Sequence, residues 1–432
     1  MSHRREPVRL EVTAIAPGGD GLAHVVQGLG RRAVFVPRSA PGDVLEADVD
    51  FTRKPARGRV LRVLQPSSMR VPPPCPFVDR CGGCDLMHLA LEAQQQAHLA
   101  IVRAALERAA GPVRPIAIHP PARGTGYRTR ARLAVVARRD HVIVGYRRTT
   151  SHTVQDIASC LVLDPSLDAV LAPLRGLFAG EHGQADVSVA LGLGGKPVVE
   201  LRWRRGDPSG PFFASIETIV NAGQWAGAEV WLPEATEPAR IGDPRPIATA
   251  ADGEPLVLPS GGFAQANQAM NETLGQRVLV QTRPAGQAMV ELFAGSGNFT
   301  VLLARHAASL VAVESDGRAA AAARANLAAR HLRARVIEAD ADAYVLPPGT
   351  RTVLLDPPRA GAAGASRRLT ASKARRVVYV SCDVPTLARD VEILVTGGFR
   401  LADVEIFEMF PHTSHVEILA VLERPRGAEG RG

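Results

Sequence analysis

Lysine is almost missing from this chain of 432 residues: of 51 basic side chains only Lys54, Lys196 and Lys373 are lysine, and the rest are arginine. Arg-favouring codon usage produces that bias, so the formal charge of +8 points to a polyanionic partner, nucleic acid first, without establishing one. Long apolar runs are missing too. None reaches the roughly 18 residues of a membrane span, and the opening Met1 to Arg9 has charges but no signal-peptide core, so a soluble, cytoplasmic protein with no membrane partner is expected. Cysteine is scarce, with five in all. Three of them crowd between Cys75 and Cys84, which excludes an extracellular disulfide framework and suggests a metal or cluster site in a reducing compartment. There is no internal repeat and no long low-complexity tail. The length calls for two or three domains, each with its own core.

From Val8 to about Leu64 apolar and polar residues alternate, as in Val8, Leu10, Val12 and again from Val44 to Val49, with Gly and Pro punctuation between. A small barrel of short strands is expected over 1–66. Its last strands carry Arg53, Lys54, Arg57, Arg59 and Arg62 with no acid among them, a candidate phosphate-tracking stripe. Pro66 to Pro76 reads as a linker, and a helix is expected from about Leu89 to Ala109 with Leu99, Val102 and Leu106 on one face. Arg128, Arg130 and Arg132 alternate along a strand-like segment, which puts three guanidinium groups on one face suited to RNA. Residues 67–260 are expected to form a β-rich central domain, and no chemistry is assigned to the stretch from about Gly192 to Pro259.

From Gly261 strands alternate with Ala-rich helices, the pattern of a doubly wound α/β domain over 261–432. Ala288 to Leu292 is a strand, Phe293-Ala294-Gly295-Ser296-Gly297-Asn298 a turn whose glycines let backbone approach a ligand, and Phe299 opens a helix. The second strand ends at Glu314, where a carboxylate can accept from ribose hydroxyls, and Asp340 after the third can accept from an adenine amino group. The fourth delivers Asp356-Pro357-Pro358-Arg359. A dehydrogenase would share the first two features but not the last, so S-adenosylmethionine is favoured over a nicotinamide.

Ser381-Cys382-Asp383 closes another buried strand, at the end where sheets of this class bind ligands. Carbon 5 of uracil is a poor nucleophile. A thiolate adding at carbon 6 makes it one, and cysteine is the most easily ionised good nucleophile available. A base must then remove the proton from carbon 5. Glu417 could serve, and on chemistry alone His412 and His415 are its rivals. Arg359 stands where a cytosine-directed enzyme would have cysteine and an amino-group enzyme an aromatic. Cys75, Cys81, Cys84 and Cys160 remain as four thiolates, which by residue chemistry suit tetrahedral zinc and a 4Fe-4S cluster equally.

These motifs resemble, over nearly the whole length, the bacterial RNA uridine-5-methyltransferases, especially the members acting on 23S ribosomal RNA. The segments Phe263-Ala264-Gln265-Ala266-Asn267, Ser381-Cys382-Asp383 and Phe410 to Glu417 carry the likeness. Val384 departs from the proline usual after the Asp, and Asp340 from the Asn of some members. The resemblance implies a Rossmann-like class I methyltransferase domain preceded by a TRAM barrel and a central iron-sulfur domain. It implies cofactor contacts from Gln265, Phe293, Asn298, Glu314, Asp340 and Asp356, Cys382 as nucleophile and Glu417 as base. It also turns the cysteine set toward 4Fe-4S. The expected partner is RNA, 23S ribosomal RNA before transfer RNA, with the protein acting as a monomer. A non-catalytic RNA-binding assembly factor is the competing class.

Overall fold

A computed structural model of the chain describes residues 7–26, 32–149 and 151–425. The first six residues of the opening stretch Met1 to Arg9 lie outside these. Strands β1 (Val8–Ile15), β2 (Gly21–Val25), β3 (Ala33–Val36), β4 (Val44–Asp50) and β5 (Ala56–Gln65) close into a barrel in the order β1-β2-β3-β5-β4. Alternation sends Leu10, Val12, Val34, Val36, Leu45, Ala47 and Val49 inward to fill it. Gly58 leaves room for this core, since a Cβ there would stand 3.1 Å from Val36 and 3.2 Å from Val34. The basic stripe is not bare. The antiparallel register sets Glu46 opposite Arg62 and Asp48 opposite Arg59, giving ion pairs at 3.4 and 3.5 Å, while Arg57 pairs with Asp20 and Arg53 with Asp50. The acids missing from the stripe come from neighbouring strands.

Helix α1 (Leu91–Ala110) and strand β6 (Ala117–His119) follow. Val102 and Leu106 are fully buried on α1, with Leu99 half-buried beside them. The central sheet is built from β7 (Arg130–Arg138), β8 (His141–Arg147), β9 (Val154–Asp156), β10 (Gly183–Leu191), β11 (Pro197–Arg205), β12 (Gly227–Trp231) and β13 (Ala239–Gly242), ordered β13-β12-β11-β10-β7-β8-β9. Helices α2 (Pro165–Asp168), α3 (Leu171–Leu177) and α4 (Gly210–Asn221) belong to the same stretch. They cover one face over Leu133, Val135, Val187, Leu201 and Trp203, and the other face is polar. A hairpin of β14 (Ile247–Thr249) and β15 (Pro255–Val257) leads into the last unit.

That unit holds α5 (Gln268–Thr282), β16 (Ala288–Leu292), α6 (Thr300–Leu303), β17 (Ser309–Glu314), α7 (Gly317–Ala329), β18 (Arg335–Glu338), β19 (Thr352–Leu355), α8 (Ala363–Ala371), β20 (Arg376–Ser381), α9 (Val384–Thr396), β21 (Arg400–Phe407) and β22 (Glu417–Glu423). The sheet runs β18-β17-β16-β19-β20-β22-β21-β6. The first five strands are parallel, and β22 enters antiparallel between β20 and β21. Strand order reverses between β16 and β19, which places a ligand crevice at their carboxyl ends. This is the class I α/β architecture behind an all-β barrel. Residues 91–119 cut across the expected central domain: α1 packs on α9 within the core of the last α/β unit, and β6 extends its sheet by pairing Ile118 with Ile406. The apolar stripe of α1 finds more surface there than on the central sheet, whose covered face is already filled by α3 and α4. Among the described residues no helix is long and apolar enough to cross a membrane.

Candidate active site

The turn after β16 is wound by three left-handed residues, Phe293 (φ 63°), Gly295 (φ 55°) and Gly297 (φ 93°). The glycines take that conformation freely, whereas a non-glycine such as Phe293 holds it only where surrounding structure imposes it. Here the Ala294 N–H donates to Val313 O at 3.0 Å, pinning the turn to β17. Glu314 sits at the end of β17; its Oε2 accepts from the Gly295 N–H at 2.8 Å and its Oε1 from the Asp316 N–H at 2.8 Å and the Ser315 hydroxyl at 3.4 Å, so Oε2 keeps a lone pair for a ligand. Asp340 is exposed after β18 and accepts from the Asp342 N–H at 2.9 Å. Asn298 is turned to other work. Its carbonyl accepts from Ala251 N–H and from Asn271, and its amide donates back to Asn271 at 2.9 Å, which ties the turn to α5. Gln265 is buried, and its Oε1 has no partner.

One residue of this crevice escapes a sequence reading. Glu291 is 1% exposed inside β16, and burial pushes its carboxyl up to about 8, with the charges of Asp356 and Glu314 adding to the shift. Its Oε2 and the nearby Thr300 Oγ1 are both buried without hydrogen-bond partners. The available signal was a carboxylate in an otherwise apolar strand, since such a group is costly to bury without a purpose.

Cys382 follows β20, half-buried, just before α9. Asp383 caps that helix, its Oδ1 accepting from the Thr386 N–H at 2.9 Å. In the β20–β22 ladder Ser381 faces Ile418, so Cys382 and Glu417 are neighbours across adjacent strands, with Asp356 at the end of β19 on the other side of β20. Burial raises the Glu417 carboxyl well above its ordinary range, and the charge of Asp356 adds to that; burial likewise brings Asp356 up to about 7. The Cys382 thiol is pushed up to about 12, by burial first and then by Glu417 and Asp356, with the Arg359 guanidinium acting against them. Glu314, Glu291, Asp356 and Glu417 thus form an acidic row along neighbouring strand ends, with the thiol between Asp356 and Glu417.

The segment before Glu417 is held from outside the sheet. Asp85 accepts from the Ser414 N–H at 2.7 Å and hydroxyl at 2.6 Å, Gln94 accepts from the His412 N–H at 2.8 Å, and His98 bonds Glu408 and Thr413 O. His412 is buried among these contacts, its Nδ1 3.3 Å from Gln94, and serves the loop rather than proton transfer. His415 is exposed, with Nε2 3.4 Å from Arg359.

Cys75, Cys81, Cys84 and Cys160 line one pocket with Phe77, Val78, Met87, Arg128 and Tyr146, and none is in a disulfide. The Cys84 thiol is pushed up to about 12, by burial first and then by the charges of Cys160 and Cys81. Among the described residues no three His, Cys, Asp or Glu groups close around a point that could hold one metal ion. Arg38 of the barrel donates to Cys81 O at 3.1 Å, clasping this loop. Of the three-arginine face expected at 128–132, only Arg132 is exposed. Arg128 bonds Arg130 O at 3.2 Å, and Arg130 donates to Gly262 O at 2.6 Å and Ala264 O at 3.1 Å.

The family model for tRNA (Uracil-5-)-methyltransferase matches residues 257–344 and 334–425. A 23S rRNA (uracil(1939)-C(5))-methyltransferase of Pectobacterium atrosepticum is 34% identical, covering 96% of this chain and 93% of its own. One of that name from Pseudomonas putida is 36% identical over the same shares. Among solved structures, a Pyrococcus abyssi tRNA (uracil-54, C5)-methyltransferase in complex with S-adenosyl-L-homocysteine superposes with a TM-score of 0.74 at 23% identity, covering 96% of this chain and 100% of its own.

Proposed function

This chain belongs to the RNA uracil-5-methyltransferases, and from that membership we propose that it methylates carbon 5 of one uridine of 23S ribosomal RNA, with Cys382 as nucleophile and Glu417 as base. The observation that supports the chemistry is the nearness of Cys382 and Glu417, one position beyond the Ser381–Ile418 pair that ends the β20–β22 ladder, with Asp356 beside them. S-adenosylmethionine, when bound, supplies an electrophilic methyl group. The residues fit it: Gln265, Glu291 and Thr300 present unpartnered buried atoms, and an acidic row suits a cationic sulfonium and amino group where a pyrophosphate would be repelled. Gln265, Phe293, Asn298, Glu314, Asp340 and Asp356 are assigned to its binding. Asn298 contributes by shaping the turn.

The Cys382 thiolate adds to carbon 6 of the uracil, the ring electron pair moves to carbon 5, and that carbon takes the methyl group. Glu417 then accepts the proton from carbon 5 as the ring expels the thiolate. A carboxyl whose proton affinity is raised by burial suits that proton acceptance. Cys382→Ala is expected to abolish transfer, by roughly 10⁴-fold or more. Glu417→Gln should trap the covalent RNA adduct on a denaturing gel. Full transfer by the first variant, or prompt release by the second, refutes the assignment. Relatives similar in length and named for 23S rRNA favour that substrate over a transfer RNA.

The four thiols of the cysteine pocket stand near enough to raise one another's pKa, and four thiolates in one place suit a polynuclear group. We assign them a 4Fe-4S cluster, whose bonds would join 75–84 to Cys160. Thiolates kept free of disulfides go with a cytoplasmic location. We propose that it acts as a monomer, since Cys382, Glu417 and the carboxylates around them lie together in one α/β unit.

A further inference from the structure

The open face of the central sheet carries a charge arrangement the catalytic site leaves unused. Side chains alternate along a strand, so while Ala131, Leu133 and Val135 of β7 face α3 and α4, Arg132 faces the other way. Arg147 of β8 and Arg204 of β11 reach over the same face. All three meet the carboxylate of Asp186 on β10: Arg204 at 2.7 Å, Arg147 at 3.3 Å and Arg132 at 3.6 Å. Asp186 is 13% exposed, while Arg132, Arg147 and Arg204 are 67, 53 and 53% exposed. With Gln184 and Arg205 they line an open groove.

One carboxylate offsets one charge of three. Guanidinium groups drawn to a single anion still repel one another, and the carboxylate orients their forks without cancelling them. The barrel differs in kind. There Arg53, Arg57, Arg59 and Arg62 each have their own acid. The sheet therefore gathers three guanidinium groups on one acid, where these four barrel arginines are matched one to one. Strand β7 also leads from Arg132 to Arg130, whose bonds to Gly262 O and Ala264 O hold the segment ending at Gln265.

We propose that this face is a phosphate-binding groove for the RNA substrate, in which Arg132, Arg147, Arg204 and Arg205 grip the backbone and Asp186 presets their geometry. The proposal rests on the RNA reading above and adds where, outside the catalytic crevice, the RNA is held. Affinity here comes from counterion release and carries no sequence information of its own. RNA lying along the sheet is led toward the Gln265 side of the crevice.

The test is binding of a 23S rRNA fragment to the full-length protein over a salt series. The pair Arg147→Ala and Arg204→Ala should weaken binding by roughly tenfold or more. It should also make the log-log salt slope shallower by about 1.4, because each single-strand phosphate that goes unneutralised removes about 0.7. In methylation assays the loss falls on KM for RNA rather than on kcat. Arg147→Lys with Arg204→Lys should recover the slope, which counts charge, but not the full affinity, which needs the fork. Binding of S-adenosylmethionine without RNA reports that each variant is folded. An unaltered affinity and slope in the alanine pair, or no recovery of slope in the lysine pair, overturns the groove. If the unsubstituted protein neither binds nor methylates the RNA, the RNA reading fails and the groove falls with it.

Discussion

Burial first, then Glu417, Asp356 and Asp383 push the Cys382 thiol up to about 12, so over the neutral range the unliganded protein keeps the proposed nucleophile protonated. The thiolate fraction then grows with pH, by less than tenfold per unit where Asp356 and Glu417 ionise beside it. The rate of covalent adduct formation at subsaturating RNA is expected to climb steadily from pH 6 to 9, measured by rapid quench; a plateau starting near 7 would show that RNA or cofactor binding resets the thiol. Glu291 gives a prediction of opposite sense. Its carboxyl is raised in the fold from an ordinary 4.5 to about 8, so the folded state holds a proton that the unfolded chain has already lost. This contribution is fully present below about 4.5 and is lost as pH rises through about 8. Glu291→Gln should therefore melt higher than its parent at pH 8, by up to a few kcal/mol of stability, and about equally at pH 4.5. Equal melting at both values would mean the carboxylate is compensated. Both groups show how far single residues can be read. Cys382 stood out because a thiol at a strand's carboxyl end has few roles, whereas Glu291 blended into its strand because burial is a property of the assembled sheet.

Helix α1 looks in sequence like an ordinary amphipathic helix, and its polar residues decide what it does. His98 is fully buried, its Nδ1 3.0 Å from both oxygens of Glu408 and its Nε2 3.1 Å from Thr413 O. Gln94 holds His412 one turn earlier. A helix placed between the cysteine loop and the strand-like Arg segment thus grips the loop that ends in Glu417. His98→Ala is expected to cost about 3–5 kcal/mol, because it strands the Glu408 carboxylate in the core. Urea unfolding measures it, and a loss below about 1 kcal/mol would show Glu408 finding another partner. The apolar stripe of α1 was legible from periodicity. The polar contacts were not, since their partners lie some 310 residues away in the chain. The arginines follow the same rule: the alternation of Arg128, Arg130 and Arg132 is local, but main-chain carbonyls from residues 130, 262 and 264 occupy two of the three forks.

Across the whole molecule, the cysteine loop is where the units meet. Arg38 of the barrel binds Cys81 O, Asp85 binds Ser414 before the base, and Cys160 comes from the central stretch. Removing a cluster bound there should loosen all three together. Anaerobically purified protein is expected to be brown, with about four irons per chain, and Cys84→Ser to lose that iron, melt lower and become open to proteolysis between residues 66 and 90. A zinc-loaded, colourless protein would overturn the assignment. The sequence alone determined what depends on short-range pattern: a barrel from alternating residues, an α/β domain from strand and helix periods, the glycine turn, and a thiol, Cys382, at a strand's carboxyl end, whereas Glu417 came ahead of His412 and His415 only through the family resemblance. Tertiary structure decided what depends on distant segments meeting. It took residues 91–119 into the methyltransferase layers, turned Asn298 toward Asn271, neutralised the barrel stripe with acids from adjacent strands and gathered three arginines on Asp186. Charge and burial are sums over neighbours, and neighbours exist only once the chain has folded.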